Sequence, residues 1–369
     1  MTPPTATTAA GPATNGTGTT YAAYARPLWQ RLLLNRTAAM VALLVIAYVY
    51  AYNQVQFFSG PLTNYFLLLD MAPILLMALP MTLVIITGEI DLSVASTLGL
   101  SAVVTGLLVQ DHGLSVPLAA LVALVVGLAA GLLNGFLVAY VGLPSLAVTI
   151  GTLALYRGIA VGLIGTKAVS DLPAHWQTLA NKHIGTSSYP VIVIPIAVLA
   201  VVFALVLHFT PFGRGVYEIG LNSEAAHFSG VDVRRTKLVL FALSGVVSAF
   251  AGVFYLLRFN SANTDTGTGL ELQVIAAVLL GGVSIFGGRG DLVGVLAGVL
   301  LIGVLQSALR LQQTGSDVIE IVIGVLLVLS VISTQLLDRV RALWIRSRRT
   351  QRSAPAPEVG DESSRKVMS

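Results

Sequence analysis

The chain has 369 residues, of which 55% are hydrophobic and only 10% are charged, and its mean hydropathy is +0.84. Soluble domains carry about 25% charged residues, so this composition excludes an ordinary soluble fold and favours one whose surface faces lipid. The absence of cysteine excludes disulfides, thiolate metal sites and cysteine nucleophiles. The formal net charge of +4 is small, so its distribution along the chain is more informative than its size.

Hydropathy divides the chain into three parts. Residues 1–25 are mainly Thr, Ala, Gly and Pro with no charge, so we expect residues 1–36 to be a disordered cytoplasmic tail rather than a signal peptide. A transmembrane domain is predicted over 37–336, followed by a basic and then disordered cytoplasmic tail over 337–369. The predicted fold class is an all-α polytopic membrane protein with about ten transmembrane helices, some short or broken. The ten apolar segments are 37–53, 65–87, 92–110, 114–141, 145–164, 189–209, 236–258, 271–287, 291–312 and 317–336.

Two of these segments are interrupted by glycine. The segment 145–164 contains several glycines and Arg157, and the segment 271–287 is short and ends in a glycine-rich stretch. Short or broken helices are tolerated at membrane depth where protein or a water-filled cavity satisfies the freed backbone groups. We therefore expect both segments to lie inside the bundle. Elsewhere, Gly127 and Gly131, and likewise Gly294 and Gly298, have the small-xxx-small spacing that favours close helix packing.

The distribution of Lys and Arg predicts the orientation. With ten spans and both termini cytoplasmic, sixteen of the 21 Lys and Arg residues lie on the inner side. The outer side then holds Lys167, Lys182, Arg258 and Arg310, and Arg157 is left in the membrane. The polar connection 210–235 falls inside, where a soluble partner could contact it.

The sequence contains no arrangement typical of catalysis. It lacks the Gly-x-x-x-x-Gly-Lys-Ser/Thr phosphate-binding loop, its five histidines have no metal-ligand spacing, and no Gly-x-Ser-x-Gly elbow is present. We predict no catalytic residue, no metal site, no cofactor and no nucleic-acid partner.

Charged residues lie within or at the ends of the predicted spans. Such residues mark a pathway or an ion pair, since each costs about 2.5–3.5 kcal/mol to insert. Asp91 and Asp291 each begin a span and are also placed to cap a helix. Glu89 is near the interface, and Arg157 contacts either a solute or an internal carboxylate. The full set is Asp70, Glu89, Asp91, Arg157, Glu271 and Asp291.

The connection 210–235 predicts a short cytoplasmic helix of about two turns. Asn222 or Ser223 is suited to cap it, Glu224 suits its first turn, and Gly230 suits a left-handed end. Such a helix, with few charges of its own, fits a groove in a partner protein. An ordinary amphipathic connector is the alternative.

Several stretches together resemble the permease subunits of bacterial ATP-binding-cassette importers for monosaccharides, the family of ribose, xylose, galactose, rhamnose and autoinducer-2 permeases. The resemblance covers roughly 65–335. Its motifs are Thr87-Gly-Glu-Ile-Asp-Leu-Ser-Val-Ala-Ser96, Gly131-Leu-Leu-Asn-Gly135, Pro144-Ser-Leu-Ala-Val-Thr-Ile-Gly-Thr152, Gly213 to Gly230, Glu271-Leu-Gln-Val-Ile-Ala-Ala-Val-Leu-Leu-Gly-Gly-Val-Ser284 and Gly287-Gly-Arg-Gly-Asp291. The family pattern usually has glycine where this chain has Glu89.

The resemblance implies a division of labour between chains. Two permease subunits, identical or similar, would form the pathway in the bacterial inner membrane in contact with lipid. Separate ATPase subunits would hydrolyse ATP, and an extracytoplasmic solute-binding protein would deliver the solute. The residues implied to couple to the ATPase are Gly213, Gly220, Asn222, Glu224, Ala225, Ala226 and Gly230. The pathway candidates are Glu89, Asp91, Ser93, Asn134, Thr149, Arg157 and Glu271.

Other functions remain open at this stage. An ion-gradient-driven secondary transporter would use the membrane-embedded charges as a relay and would need no ATPase. A membrane enzyme would need a convergent catalytic set, and a passive channel would leak solute without partners. Among solutes, a neutral monosaccharide is favoured, with a deoxy sugar such as rhamnose as one option.

Overall fold

A computed structural model describes residues 36–165, 167–170, 172–326 and 328–329, and this part of the chain is a bundle of α-helices. The predicted N-terminal tail apart from residue 36, the C-terminal tail, and the end of the last predicted span lie outside these residues. The twelve named helices are α1 (Arg36–Gln54), α2 (Thr63–Ile86), α3 (Val94–Gln110), α4 (Val116–Phe136), α5 (Ser145–Ile164), α6 (Ala174–Ala180), α7 (Val193–Phe209), α8 (Pro211–Leu221), α9 (Ser223–Phe228), α10 (Val233–Phe259), α11 (Leu270–Leu280) and α12 (Leu292–Leu311). A further helical stretch covers 316–326.

The helices confirm the all-α polytopic fold class. Within the described residues, six are long and apolar enough to cross a membrane, and α7 with α8, bent by 70° at their junction, would make a seventh if the bent pair were one span. These six are α1, α2, α4 with a π-helical turn to Val141, α5, α10 and α12. The apolar helices α3 and α11 are shorter. The predicted segment 271–287 is helical only as far as Leu280, where Gly281 and the left-handed Gly282 begin a turn.

Helix α2 is the centre of the bundle. All but a few of its residues are buried, and it contacts α7, α10, α11 and α12. Its apolar side chains are distributed around the whole helix rather than along one stripe, which is typical of a fully enclosed helix. The outer helices α1, α4, α5 and α7 instead expose many large apolar side chains, as a surface against lipid requires.

Glycines allow the backbones of neighbouring helices to approach closely. A Cβ atom at Gly131 would overlap the backbone of α10 at Phe241, and one at Gly245 would overlap Gly127. A Cβ atom at Gly298 would lie 2.6 Å from the Ala277 carbonyl oxygen. These contacts confirm the predicted tight packing of the two small-xxx-small pairs.

The expectation that residues 145–164 lie inside the bundle is wrong. Helix α5 is continuous, and large side chains such as Ile150 and Leu163 are exposed. Gly151, Gly158 and Gly162 have open space where a Cβ atom would be. Glycine content alone does not separate a kinked interior helix from a regular helix with a smooth outer face. The other interrupted segment, now α11, is buried as expected.

Candidate functional site

A sharp bend turns the chain out of the bundle after α7. Thr210 has extended backbone angles and its hydroxyl oxygen accepts a hydrogen bond from the Gly213 amide at 3.2 Å. Pro211 occupies the first turn of α8, where its missing N–H costs nothing. Gly213 packs against the Leu207 carbonyl, so a side chain here would obstruct the bend. The sequence reasoning missed α8 as a separate helix, although the Thr-Pro pair is a standard helix start.

Helix α9 is built as the sequence predicts around Asn222. The Asn222 side-chain oxygen accepts from the amides of Glu224 at 3.0 Å and Ala225 at 2.9 Å. Gly230, with φ of 92°, follows the helix end in the left-handed region. The helix has six residues, fewer than the two turns predicted. Ala226 is 2% exposed and anchors α9 to the bundle.

The outer face of α9 is uncovered in the single chain and combines polar side chains with Phe228, which is 88% exposed. Leu221, the last residue of α8, is 70% exposed. Beside Phe228 lies an open cavity of about 800 Å³. Its lining mixes charge and apolar surface and includes Glu224, His227 and Asp232. This end of the molecule, here called the docking face, consists of residues 221–234.

Helix α8 is locked to the end of α2 by glycine contacts. A Cβ atom at Gly220 would overlap the Ile86 carbonyl oxygen and the Gly288 amide. The Gly288 amide donates to the Ile86 carbonyl oxygen at 2.8 Å, and the Tyr217 hydroxyl donates to the Gly290 carbonyl oxygen at 2.9 Å. Three chain segments therefore meet at this glycine junction, and the docking face is connected directly to the central helix.

Glu89 has a defined partner at the same end. Its carboxylate forms an ion pair with Lys237 near the start of α10, and both side chains are mostly buried. Glu89 is thus neither a free interfacial charge nor a bare pathway carboxylate. The pair links the α2–α3 connection to the helix that follows the docking face.

Asp91 is the centre of a buried polar cluster. It is 2% exposed, and its carboxylate accepts from the Ser93 amide at 3.0 Å, the Ser93 hydroxyl at 2.6 Å and the Ser244 hydroxyl at 2.7 Å. Asn134 donates to the Ser93 hydroxyl oxygen at 2.8 Å. The Tyr156 hydroxyl lies 3.2 Å from the Asn134 side-chain oxygen. Four segments of the bundle are joined through these side chains, as buried polar groups require.

The two aspartates proposed as caps differ. Asp291 caps α12, because its carboxylate accepts from the Val293 amide at 3.4 Å, and it also receives the Thr37 hydroxyl at 2.9 Å. Asp91 does not cap α3, since Ser93 occupies the cap position and Asp91 binds the serine instead. The capping interpretation is therefore wrong for Asp91.

The seven pathway candidates do not form one site. Asp91, Ser93 and Asn134 share the cluster, and Thr149 borders it by donating to the Ile90 carbonyl oxygen at 3.1 Å. Arg157 instead donates to the Thr268 hydroxyl oxygen, which is neither a carboxylate nor part of the cluster. Glu271, in the first turn of α11, has one carboxylate oxygen buried without a partner among the described residues.

A second charged cluster lies at the other end of α2. Asp70 forms ion pairs with Arg258 in the last turn of α10 and with Arg310 in the last turn of α12, the latter at 2.8 Å. Sequence reasoning identified all three charges and placed the two arginines on one side, but it included none of them among the site residues. Ser244, Tyr156 and Lys237 were also missed, because their partners are distant in the chain.

The described residues form an α-helical bundle with membrane-length apolar helices, a buried polar cluster and an uncovered, capped helix at one end, which is the architecture of a polytopic membrane protein. The family described as "Branched-chain amino acid transport system / permease component" matches residues 63–331. The chain is also 34% identical over 287 residues to the autoinducer 2 import system permease protein LsrD of Yersinia pseudotuberculosis serotype O:3, covering 76% of this chain and 85% of the relative. LsrD of Yersinia enterocolitica serotype O:8 is 36% identical over 282 residues, covering 74% and 84%. No solved structure shows significant similarity to the chain.

The chain belongs to this family of permease components of ATP-binding-cassette importers, which is the family of the monosaccharide and autoinducer-2 permeases. It is a multi-pass protein of the inner membrane and a transport subunit. Membership implies that ATPase and solute-binding proteins are its partners.

Proposed function

We propose that this chain forms the translocation pathway for a monosaccharide or similar small polar solute and couples to separate ATPase subunits through the docking face. A second permease chain, identical or similar, completes the pathway within the lipid bilayer. A solute-binding protein delivers the solute from the outer side. The observation that carries the proposal is α9, a short helix capped by Asn222 that leaves Phe228 exposed in the single chain.

Helix α9 is short and exposes a large apolar side chain, and both features favour docking to a partner. A six-residue helix is too short to be stable by itself, so its cap and the buried Ala226 hold it in place. An 88% exposed phenylalanine beside a cavity is typical of an anchor residue at a protein interface. An ATPase groove that receives this side chain removes it from water.

The glycine junction and the Glu89–Lys237 pair connect the docking face to the region at the end of α2, so that movement of one can displace the other. Gly220 lies one position before Leu221, at the start of the docking face, and contacts the end of α2 directly. Lys237 follows the docking face in the chain. It pairs with Glu89, which lies just after the end of α2. Close-packed contacts transmit displacement because interiors have low compressibility. Movement of α9 would therefore shift α2 and the Asp91 cluster.

Replacing Glu224 by Lys and Ala225 by Arg tests the docking assignment. The two residues lie in the first turn of α9 and are exposed, so the substitutions leave the fold intact but place bulk and positive charge on the docking face. We expect loss of ATPase co-purification with normal membrane insertion. The matched control is Asp111→Lys with His112→Arg, which makes the same change in formal charge at the exposed α3–α4 connection. Normal co-purification of the α9 variant, or equal loss in the control, would contradict the assignment.

Reconstituted vesicles distinguish ATP-driven import from gradient-driven transport. The importer requires ATP on the side of the docking face and works with all ion gradients set to zero. Uptake that follows a proton or sodium gradient and ignores ATP would favour the secondary transporter instead. Solute leakage through the purified chain alone would favour a channel.

A further inference from the structure

The connection between α11 and α12 passes through the glycine junction and holds a large apolar side chain in an exposed position. Phe286 is 74% exposed in the single chain. The residues just before it are enclosed, since Val283 is fully buried and Ile285 packs against the core. Contact between a phenylalanine ring and water is unfavourable, so the ring is better placed against a partner than in the medium.

Hydrogen bonds hold the backbone around Phe286 in a closed turn. The Ser284 amide donates to the Arg289 carbonyl oxygen at 2.9 Å, and the Gly287 amide donates to the Ser284 carbonyl oxygen at 3.0 Å. The Phe286 amide donates to the Ser284 hydroxyl oxygen at 3.3 Å. Gly287 has a φ of 80°, which other residues rarely adopt. The turn over 284–289, here called the aromatic loop, is therefore preorganised with Phe286 exposed.

The aromatic loop contacts the first residue of the docking face. A Cβ atom at Gly288 would lie 2.7 Å from Leu221 Cδ2, and one at Gly287 would lie 2.9 Å from the Gly220 carbonyl oxygen. Leu221 is itself 70% exposed and is followed directly by Asn222, the cap of α9. The aromatic loop and α9 therefore both adjoin the end of α8, and the docking face continues onto the loop.

The size of α9 requires further contact surface for any protein that docks there. A helix of six residues is about 9 Å long, whereas a stable interface covers about 800 Å² on each partner. A protein seated on α9 and Leu221 must therefore cover neighbouring surface as well. The aromatic loop supplies such surface, and it lies at the end of the bundle that the distribution of Lys and Arg predicts to be cytoplasmic.

We propose that the aromatic loop is a second contact for the ATPase subunit, with Phe286 and Leu221 as its apolar anchors beside α9. The inference rests on the proposed docking of ATPase subunits to α9 and extends that docking to a separate segment of the chain. Aromatic side chains are enriched among residues that dominate binding, and a preorganised loop loses little entropy when it binds.

Two contacts give the ATPase two points of attachment to the bundle. Helix α9 follows α8 in the chain, whereas the aromatic loop joins α11 to α12, and Asp291, just after the loop, caps α12. Both attachments meet the end of α2 at the glycine junction. A partner held at both points therefore displaces α11 and α12 together with α8.

The affinity of the ATPase subunits for the chain, assembled with its second permease subunit in lipid nanodiscs, tests the second contact. We expect Phe286→Ala to weaken binding at least tenfold, because burial of a large apolar side chain changes a binding constant by that factor or more. Phe286→Leu retains apolar bulk and should recover part of the affinity. Phe57→Ala is the matched control, since Phe57 is 71% exposed and precedes α2, at the opposite end of that helix from the glycine junction. It should bind normally.

The α9 variant, Glu224→Lys with Ala225→Arg, separates this inference from the proposed function. Loss of affinity in both the α9 variant and Phe286→Ala is the expected result. Loss in the α9 variant with normal affinity in Phe286→Ala would overturn the second contact and leave docking through α9 intact. Normal affinity in both would overturn both assignments. Loss in Phe286→Ala alone would support the aromatic loop as a contact and contradict the role of α9.

Photo-crosslinking identifies what covers the ring. The amino acid p-azidophenylalanine at position 286 retains the aromatic ring and reacts with its neighbours on irradiation. In the assembled importer we expect a crosslink from position 286 to the ATPase subunit and none to that subunit from position 57. Crosslinks from position 286 to lipid alone would overturn the inference, because the ring would then lie in the membrane interface.

Discussion

Gly220→Ala is the sharpest perturbation of the link between the docking face and the bundle. The added Cβ atom would overlap the Ile86 carbonyl oxygen and the Gly288 amide and would lie 3.0 Å from the Gly288 Cα atom. Close carbon–oxygen contacts in proteins are about 3.3 Å, so the end of α8 must move from α2 by at least about 1 Å. All the obstructing atoms belong to backbone, which has no rotamer to change. Overpacking of this kind costs about 1–3 kcal/mol.

We expect Gly220→Ala to lower the thermal stability of the purified chain and to reduce ATP-driven uptake more than ATPase co-purification. The reason is that α9 itself, with its cap and exposed face, remains intact while its connection to α2 is displaced. The measurements are thermal unfolding in detergent, co-purification, and uptake by reconstituted vesicles. Gly151→Ala is the matched control, because Gly151 lies within α5 with open space at the Cβ position. It should be neutral or stabilising by up to about 1 kcal/mol. If Gly220→Ala were as stable and as active as Gly151→Ala, the close packing at the junction would be refuted.

Two further predictions concern single contacts. Asn222→Ala removes both cap hydrogen bonds of α9 and should cost about 1 kcal/mol of stability, measured as faster hydrogen exchange at the Glu224 and Ala225 amides. Asn222→Asp should restore the protection of these amides. Unchanged exchange in the alanine variant would exclude the cap. Lys237→Glu places two carboxylates together in a mostly buried position and should impair uptake, whereas the double variant with Glu89→Lys should recover much of it. A double-mutant cycle should give a coupling energy of about 1 kcal/mol, and purely additive effects would show that the pair is incidental.

The sequence was sufficient for features that depend on neighbouring residues. Runs of apolar residues predicted the helices because each must span the hydrocarbon, and Asn222 predicted the cap of α9 because a side-chain oxygen two to three residues before an amide satisfies it. The spacing of Gly127 and Gly131 predicted close packing of α4, and the structure shows that its partner is α10. These signals are local, so one sequence contains them in full.

The remaining features depend on contacts between distant parts of the chain. Ser244 is 153 positions from Asp91 and Arg310 is 240 positions from Asp70, and no periodicity in a single sequence pairs such residues. The wrong prediction that α5 lies inside the bundle has a related cause. Glycine occurs both where two helices are in close contact and where a helix faces open space, and only the residues packed around it in the fold distinguish the two. Helix α8 was missed because it is short and amphipathic and continues a longer apolar helix.

The side of the membrane that α9 faces decides whether ATPase subunits can bind the docking face. Ser223→Cys introduces a single thiol at an exposed position of the docking face and retains the Phe228 anchor, in a chain that has no other cysteine. Membrane vesicles of defined orientation, containing the importer with or without its ATPase subunits, are treated with an impermeant maleimide. We predict labelling in inside-out vesicles only, and protection of the thiol when the ATPase subunits are present. Labelling from the outer side of right-side-out vesicles would contradict the docking role, because no ATPase could reach α9 there.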